Sequence, residues 1–275
     1  MKEKIAMDGK FWTRVLFEWA DNHKLPNLEW CSTDDDNHEG FWHGFPRSEQ
    51  TLLSMTELNL LWHDLHELPE ELGYLKQLTN LSINKCRKGL EIKPETRTQH
   101  TLRSIPQWVF RLTNLKVLDL GGNAIAEIPS EIGKLTNLQI LFLSQNKIHE
   151  IPDSIRQCSK LTFLGLSYNQ LRKIPVGLFE CNNLEVLYIT ANKIDHIPNG
   201  LSKLTSLMVL ELARNRLQAF PEEIILLENL NVLTLLGNNF MELPAASLRL
   251  KNLENFDMLN CEYSAKRNGG NISRH

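Results

Sequence analysis

A leucine recurs at Leu115, Leu138, Leu161, Leu184, Leu207, Leu230 and Leu253, each 23 residues after the last, with no insertion between them. Asparagines keep the same step at 123, 146, 169, 192, 215 and 238, and prolines at 129, 152, 175, 198, 221 and 244. The unit reads L-x-x-L-x-L-x-x-N-x-I/L-x-x-I/L-P-x-x-I/L-x-x-L-x-x. Its final leucine pair alternates at period two, so both side chains leave the same side of a short strand. A 23-residue unit cannot bury that face alone, and successive units must stack into a parallel sheet. The asparagine falls where the strand turns away, and its amide has the donor and the acceptor to satisfy backbone groups that the turn takes out of the ladder. The proline suits the first position of a short helical or 3₁₀ turn, where its missing N–H costs nothing. Ile132, Leu135 and their equivalents then pack that turn onto the sheet.

Two earlier units keep the frame. Met55-x-x-Leu58-x-Leu60 has His63 in the asparagine slot, and Leu78-x-x-Leu81-x-Ile83 has Cys86 there. The second resumes only at Leu102-x-x-Ile105-Pro106, so about 14 extra residues lie between about 87 and 101. That polar insertion is expected to protrude at a rim, as a functional loop or as tolerated slack. The last unit, Leu253-x-x-Phe256-x-Met258, stops after its strand. Nine strands at about 4.8 Å spacing make a face roughly 40 Å long.

The pattern over residues 52–262 resembles the leucine-rich-repeat class with L-P-x-x-I, as in Ras-suppressor-like and Scribble-like intracellular proteins. It is also similar to bacterial leucine-rich-repeat proteins, secreted effectors among them. The resemblance implies an α/β solenoid, a horseshoe with about nine parallel strands on its concave face. It implies little about the partner, because such repeats host many unrelated ones.

Composition narrows the partner class. A formal net charge of −3 and a pI near 6.3 give no basic field, and nucleic acid is not expected. No apolar run is long enough to span a bilayer. Arg14 and Glu18 interrupt the Phe11–Ala20 stretch, so the start does not read as a Sec-type signal peptide. Five separated cysteines, at 31, 86, 158, 181 and 261, suit a reducing compartment. A cytoplasmic location is expected, with leaderless secretion as an effector the alternative.

Solenoid ends expose core and strand edges unless covered. Residues 1–50 read as an N-terminal cap with a helix over about 10–20, in which Phe11, Trp12, Val15, Leu16, Trp19 and Ala20 form one broad apolar face. Asp8 is the expected N-cap residue and Asp21-Asn22 the stop. Residues 51–262 are the repeats, and residues 263–275 a polar, flexible tail. The last repeat's edge leaves room for a weak dimer as well as a monomer.

Register then assigns a partner-binding face. The outward residues between the inward leucines include Phe142, Gly165, Tyr188 and Glu211, and two positions earlier stands Phe163. Tyr168 lies three residues past Gly165, with Gln145 and Arg214 in equivalent slots. Phe142, Phe163, Tyr168 and Tyr188 thus fall in three adjacent strands, and outward aromatics at the centre of a sheet have the composition of interface hot spots. The opposing reading is that Phe163 packs laterally between strands. Lys85, Arg87, Lys147, Lys193, Arg214 and Arg216 flank the asparagine slot as a basic rim, which either steers an acidic or phosphorylated segment or keeps the rim soluble.

No enzyme chemistry, cofactor or metal is expected. Cys158 and Cys181 occupy the slot of Leu135 and read as buried hydrophobes. Asp34–Glu39 lacks the spacing and glycine of a calcium loop. Some bacterial leucine-rich-repeat effectors carry a ubiquitin-ligase Cys-x-Asp motif, and none occurs here. The expected function is a non-catalytic protein–protein interaction module holding a protein on its concave face. The alternative is the substrate-recognition part of a larger enzyme or secreted effector whose catalytic part lies outside this chain.

Overall fold

The computed structural model describes residues 9–31, 41–60, 65, 68–84, 102–240 and 255–257. Nine three-residue strands form one parallel sheet in chain order: β3 (Glu57–Asn59), β4 (Asn80–Ser82), β5 (Val117–Asp119), β6 (Ile140–Phe142), β7 (Phe163–Gly165), β8 (Val186–Tyr188), β9 (Val209–Glu211), β10 (Val232–Thr234) and β11 (Asn255–Asp257). Pairing follows the repeat without slippage: Leu118, Leu141 and Leu164 lie side by side across β5, β6 and β7. The inward leucines at both strand positions, such as Leu141 and Leu143, are fully buried. Each contributes about 1.5–3 kcal/mol by leaving water, and only stacking makes that possible.

On the opposite side each return segment among the described residues passes through a 3₁₀ turn, for example Ser130–Lys134, Asp153–Gln157 and Val176–Glu180. The proline differs from the sequence expectation here. It sits one residue earlier than the first helical position, in extended conformation, with Pro129 at φ −64°, ψ 153°. Its carbonyl opens the turn by accepting from the Ile132 N–H at 3.0 Å. A fixed φ suits this cap as well as it suits the first turn, and the carbonyl is the group that is used. One repeat departs from the pattern. Pro198 is followed by Asn199 and by Gly200 at φ 111°, and the turn begins only at Leu201.

The six asparagines do what the amide chemistry requires. Asn146 is buried; its Oδ1 accepts from the Ile125 N–H at 3.0 Å, and its Nδ2 donates to the carbonyls of Leu120 and Leu143, both at 3.0 Å. Asn169 repeats the set with Ile148, Leu143 and Leu166. Each amide therefore ties its own repeat to the one before. Immediately before each asparagine the chain turns left-handed, at Gly122, Gln145, Tyr168, Ala191, Arg214 and Gly237. That conformation costs a non-glycine residue about 1 kcal/mol. It also aims the backbone N–H along the array, as with Tyr168 N–H to Thr190 O at 2.8 Å. A second, exposed asparagine row precedes the strands: Asn114, Asn137, Asn183 and Asn229 each donate to a carbonyl of the preceding repeat at 2.7–3.0 Å.

At the β3 end, helix α1 runs Gly9–Asn22, against an expected 10–20. Leu16, Trp19 and Ala20 are buried, but Phe11 is 54% exposed, which corrects its expected place on the apolar face. At about 100° per residue Phe11 lies about 140° round the helix from Leu16, outside the arc that packs. The helix closes on Lys24 in left-handed conformation, with Leu25 N–H bonded to Ala20 O at 2.9 Å. Strands β1 (Glu29–Cys31) and β2 (Phe41–His43) pair antiparallel. A short helix α2 (Glu49–Ser54) with Ser48 as its N-cap precedes β3. Arg47 clamps the segment by donating to the Phe45 and Leu25 carbonyls and to Asp21. Trp12 meets Tyr74 of the first 3₁₀ turn, with ring centroids 5.6 Å apart. Asp8, Asp34–Glu39, the 87–101 insertion and the 263–275 tail lie outside the described residues, as do Cys86 and Cys261.

Candidate functional site

The strands are too short to leave any ambiguity about which residues face outward. In β6 the order is partly buried Ile140, buried Leu141, partly buried Phe142, and the same order recurs in β5, β8, β9 and β10. Hydrogen-bonded register aligns the third residues of β5 to β9 into a row: Asp119, Phe142, Gly165, Tyr188, Glu211. The row has a carboxylate at either end, an aromatic ring inside each, and a glycine at its centre.

The glycine is what lets the rings meet. A Cβ at Gly165 would come within 3.0 Å of the Phe142 ring and 3.1 Å of the Phe163 ring. With that space open, Phe163 leans between its neighbours, its ring centroid 4.4 Å from Phe142 and 5.2 Å from Tyr188, the latter in an edge-to-face arrangement. Such contacts are worth about 0.5–1.5 kcal/mol each beyond area burial. The three rings form one continuous, partly exposed patch over β6, β7 and β8. Phe163 packs laterally and still belongs to the patch. Tyr168 does not join it: it is 53% exposed, on the left-handed turn beyond β7.

The carboxylates that close the row are both partly desolvated. Burial raises the Asp119 carboxyl above its ordinary range, against hydrogen bonds from Asn84 Nδ2 at 2.8 Å, from the Gly121 N–H at 3.0 Å and from Ser82. Burial also raises Glu211, opposed by a hydrogen bond from Thr190. Tyr188 beside it is pushed up, first by burial and then by the Glu211 charge. Among the described residues neither carboxylate has a cationic partner.

The basic rim is separate from this row. Lys147, Arg214 and Arg216 are exposed on the turn side of the strands, and the partly exposed Lys193 bonds to Gln170 Oε1 at 3.2 Å. Lys85 and Arg87 lie outside the described residues. Between row and rim runs a floor of small residues: Gly121, Ser144, Ser167, Thr190 and Ala213. Cys158 and Cys181 are fully buried behind the sheet. Their thiols donate to the carbonyls of Ile132 and Ile155, each at 3.4 Å. Burial pushes them up to about 12 and about 11, respectively. No helix among the described residues is long and apolar enough to cross a membrane.

Sequence reasoning located the row but not the part played by Gly165. The signal was a glycine where every neighbouring repeat has a side chain, between two aromatics 23 residues either side. The second asparagine row was equally visible as the Asn that precedes Leu115, Leu138, Leu184 and Leu230.

Comparison with known proteins agrees with the architecture. A family described as "Leucine-rich repeat region" matches residues 95–213. The leucine-rich-repeat ectodomain of the plant membrane receptor kinase GASSHO1/SCHENGEN3 from Arabidopsis thaliana, solved in complex with CASPARIAN STRIP INTEGRITY FACTOR 2, is 28% identical with a TM-score of 0.60, over 74% of this chain and 24% of that one. The Leptospira interrogans leucine-rich-repeat protein LIC12759 is 28% identical with a TM-score of 0.51, over 74% of this chain and 60% of that one. An internalin from Listeria monocytogenes is 23% identical with a TM-score of 0.57, over 76% of this chain and 63% of that one, and shows likeness of fold. The chain therefore spans about a quarter of the length of the plant ectodomain and under two thirds of either bacterial protein. No protein of curated function matches the sequence. The 23-residue register, the parallel sheet and these likenesses together give the chain the leucine-rich-repeat fold.

Proposed function

We propose that the chain is a non-catalytic binding module that holds one protein partner on the open face of its sheet. Leucine-rich-repeat folds typically serve protein interaction, and the observation that supports a site here is the three-ring patch of Phe142, Phe163 and Tyr188. Its rings stay partly exposed although neighbouring side chains cover what they can. Large aromatics held by their neighbours lose little conformational freedom on binding and bury much area. Glu211, with Tyr168, Arg214, Lys147, Lys193 and Arg216 toward the rim, frames the patch. In the same reading residues 1–50 cap the β3 end and the module works in the cytoplasm.

The test is affinity capture with the wild type against a Phe142→Ala/Tyr188→Ala double variant of equal cooperativity in unfolding. The proposal expects a partner retained by the first and lost by the second. Equal recovery of every captured protein removes the patch from consideration.

A second reading follows from length. Because the chain spans only part of the plant and bacterial proteins it resembles, it also suits the recognition part of a larger receptor or secreted effector. The coding sequence on either side of these residues decides between the two.

A further inference from the structure

Resting on the concave-face reading, we infer that the partner presents an extended basic–apolar–basic segment, which lies along the row Asp119, Phe142, Gly165, Tyr188, Glu211, at right angles to the strands. The geometry supplies each part. The row crosses five consecutive strands in unbroken register. At about 4.8 Å per strand its two carboxylates stand about 19 Å apart. Between them lie the Phe142, Phe163 and Tyr188 rings, which close over the buried backbone of Gly165.

Charge complementarity commits the occupant. Asp119 and Glu211 are the only ionised groups in the row, and neither has a cation among the described residues. A carboxylate partly withdrawn from water and lacking a cation gains when one arrives, and burial has already raised both groups. An arriving guanidinium or ammonium would also pass over the Phe142 or Tyr188 ring, adding a cation–π contribution. Asp119 spends part of its capacity on Asn84, Gly121 and Ser82, whereas Glu211 has Thr190 alone. Glu211 is therefore the stronger anchor.

Length follows from the span. An extended chain advances about 3.3 Å per residue, so about six residues bridge 19 Å, and about four suffice once long basic side chains reach outward. A bulky apolar side chain midway between the cations would rest on the rings. The exposed Lys147, Arg214 and Arg216 repel the same segment from the turn side and so keep it on the row. An acidic segment has the opposite preference and would settle on the rim.

Selection from a random twelve-residue peptide library against the whole chain tests this. Enriched peptides are then measured by fluorescence anisotropy on wild type, Glu211→Gln, Tyr188→Ala and Lys147→Gln/Arg216→Gln. Glu211→Gln removes a charge that burial disfavours, so the fold is expected to survive it. The inference expects Arg or Lys pairs four to six residues apart around an aromatic or Leu. It also expects about a tenfold or greater loss of affinity in Glu211→Gln and none in the rim variant. Peptides that lose binding in Tyr188→Ala but carry no basic pair, and ignore Glu211→Gln, overturn this inference and leave the concave-face reading standing. Acidic peptides that depend on the rim, peptides indifferent to Tyr188→Ala, or no enrichment overturn both.

Discussion

The Glu223 carboxylate reaches back one repeat to the Gly200 amide, at 2.9 Å, and to the Ser202 amide, at 3.0 Å. It supplies a start for the only described 3₁₀ turn that does not open directly after its proline, Leu201–Lys203. Backbone hydrogen bonds, first from Ser202 and then from Gly200, hold its carboxyl below the ordinary range. The unfolded chain therefore takes up the proton first as acid is added. The stabilisation is complete above the unfolded-state value and disappears as pH falls through the lower, folded-state one. Because the group is only partly buried, Glu223→Gln is expected to cost no more than about 1 kcal/mol at neutral pH and less at about pH 3. Urea unfolding at the two pH values checks this, and an equal cost at both would show that the charge is irrelevant.

Asn169→Ala should be far more damaging than Asn183→Ala. The first strands the Ile148 N–H in the core and removes one of the two amide donors from each of the Leu143 and Leu166 carbonyls, which keep Asn146 and Asn192. A buried orphan costs about 1–3 kcal/mol, and the two lost donors put the expected total toward the top of that range. The second frees only the exposed Ser159 carbonyl to water, for less than about 1 kcal/mol. Denaturant midpoints of the two variants give the comparison directly.

The left-handed turn position can be titrated by substitution in both directions. Ala191 sits at φ 57° and Gly237 at φ 71°. Ala191→Gly is expected to raise stability by about 0.5–1 kcal/mol and Gly237→Ala to lower it by about the same. Thermal unfolding of both variants should show shifts of opposite sign.

The two buried thiols, Cys158 and Cys181, are expected to be chemically silent in the native state. Burial pushes Cys158 to about 12 and Cys181 to about 11, so almost no thiolate exists at neutral pH. Peptide mapping after iodoacetamide should find both unmodified until denaturant unfolds the repeats. Rapid labelling of either in native buffer would contradict their placement.

Gly165→Ala should disturb the aromatic patch before it disturbs the fold. The new methyl would crowd Phe142 and Phe163 at 3.0–3.1 Å and force the rings apart. Near-ultraviolet circular dichroism is expected to change while the far-ultraviolet spectrum stays, with about 1 kcal/mol or more of stability lost.

How much of this could be read beforehand depends on whether a feature repeats. Leu141, Asn146 and the proline slot each occur many times, so their register survives any one irregular repeat, and the parallel pairing follows from the constant step. The proline's cap position escaped because a one-residue shift along the turn leaves the periodicity unchanged. Phe11 escaped because an apolar run at a helix start does not say which part of the arc packs. Glu223 and Gly200 meet only after the chain has turned, and nothing in the residues between them encodes that contact. The ring cluster lay in between: its members were legible from register, whereas the lean of Phe163 over Gly165 required knowing how close the rings come.

The asparagine amides also set the order in which the array can come apart. Asn146 Nδ2 is shared between a carbonyl of its own repeat and one of the repeat before, while its Oδ1 holds an N–H of that earlier repeat. An interior repeat that opens must therefore break bonds on both flanks, whereas a terminal one breaks them on one. Fraying from the ends inward is the cheap route. Amide hydrogen exchange would then be slowest over β6 to β8, beneath the aromatic patch, which makes the proposed docking surface the last part of the molecule to lose its shape.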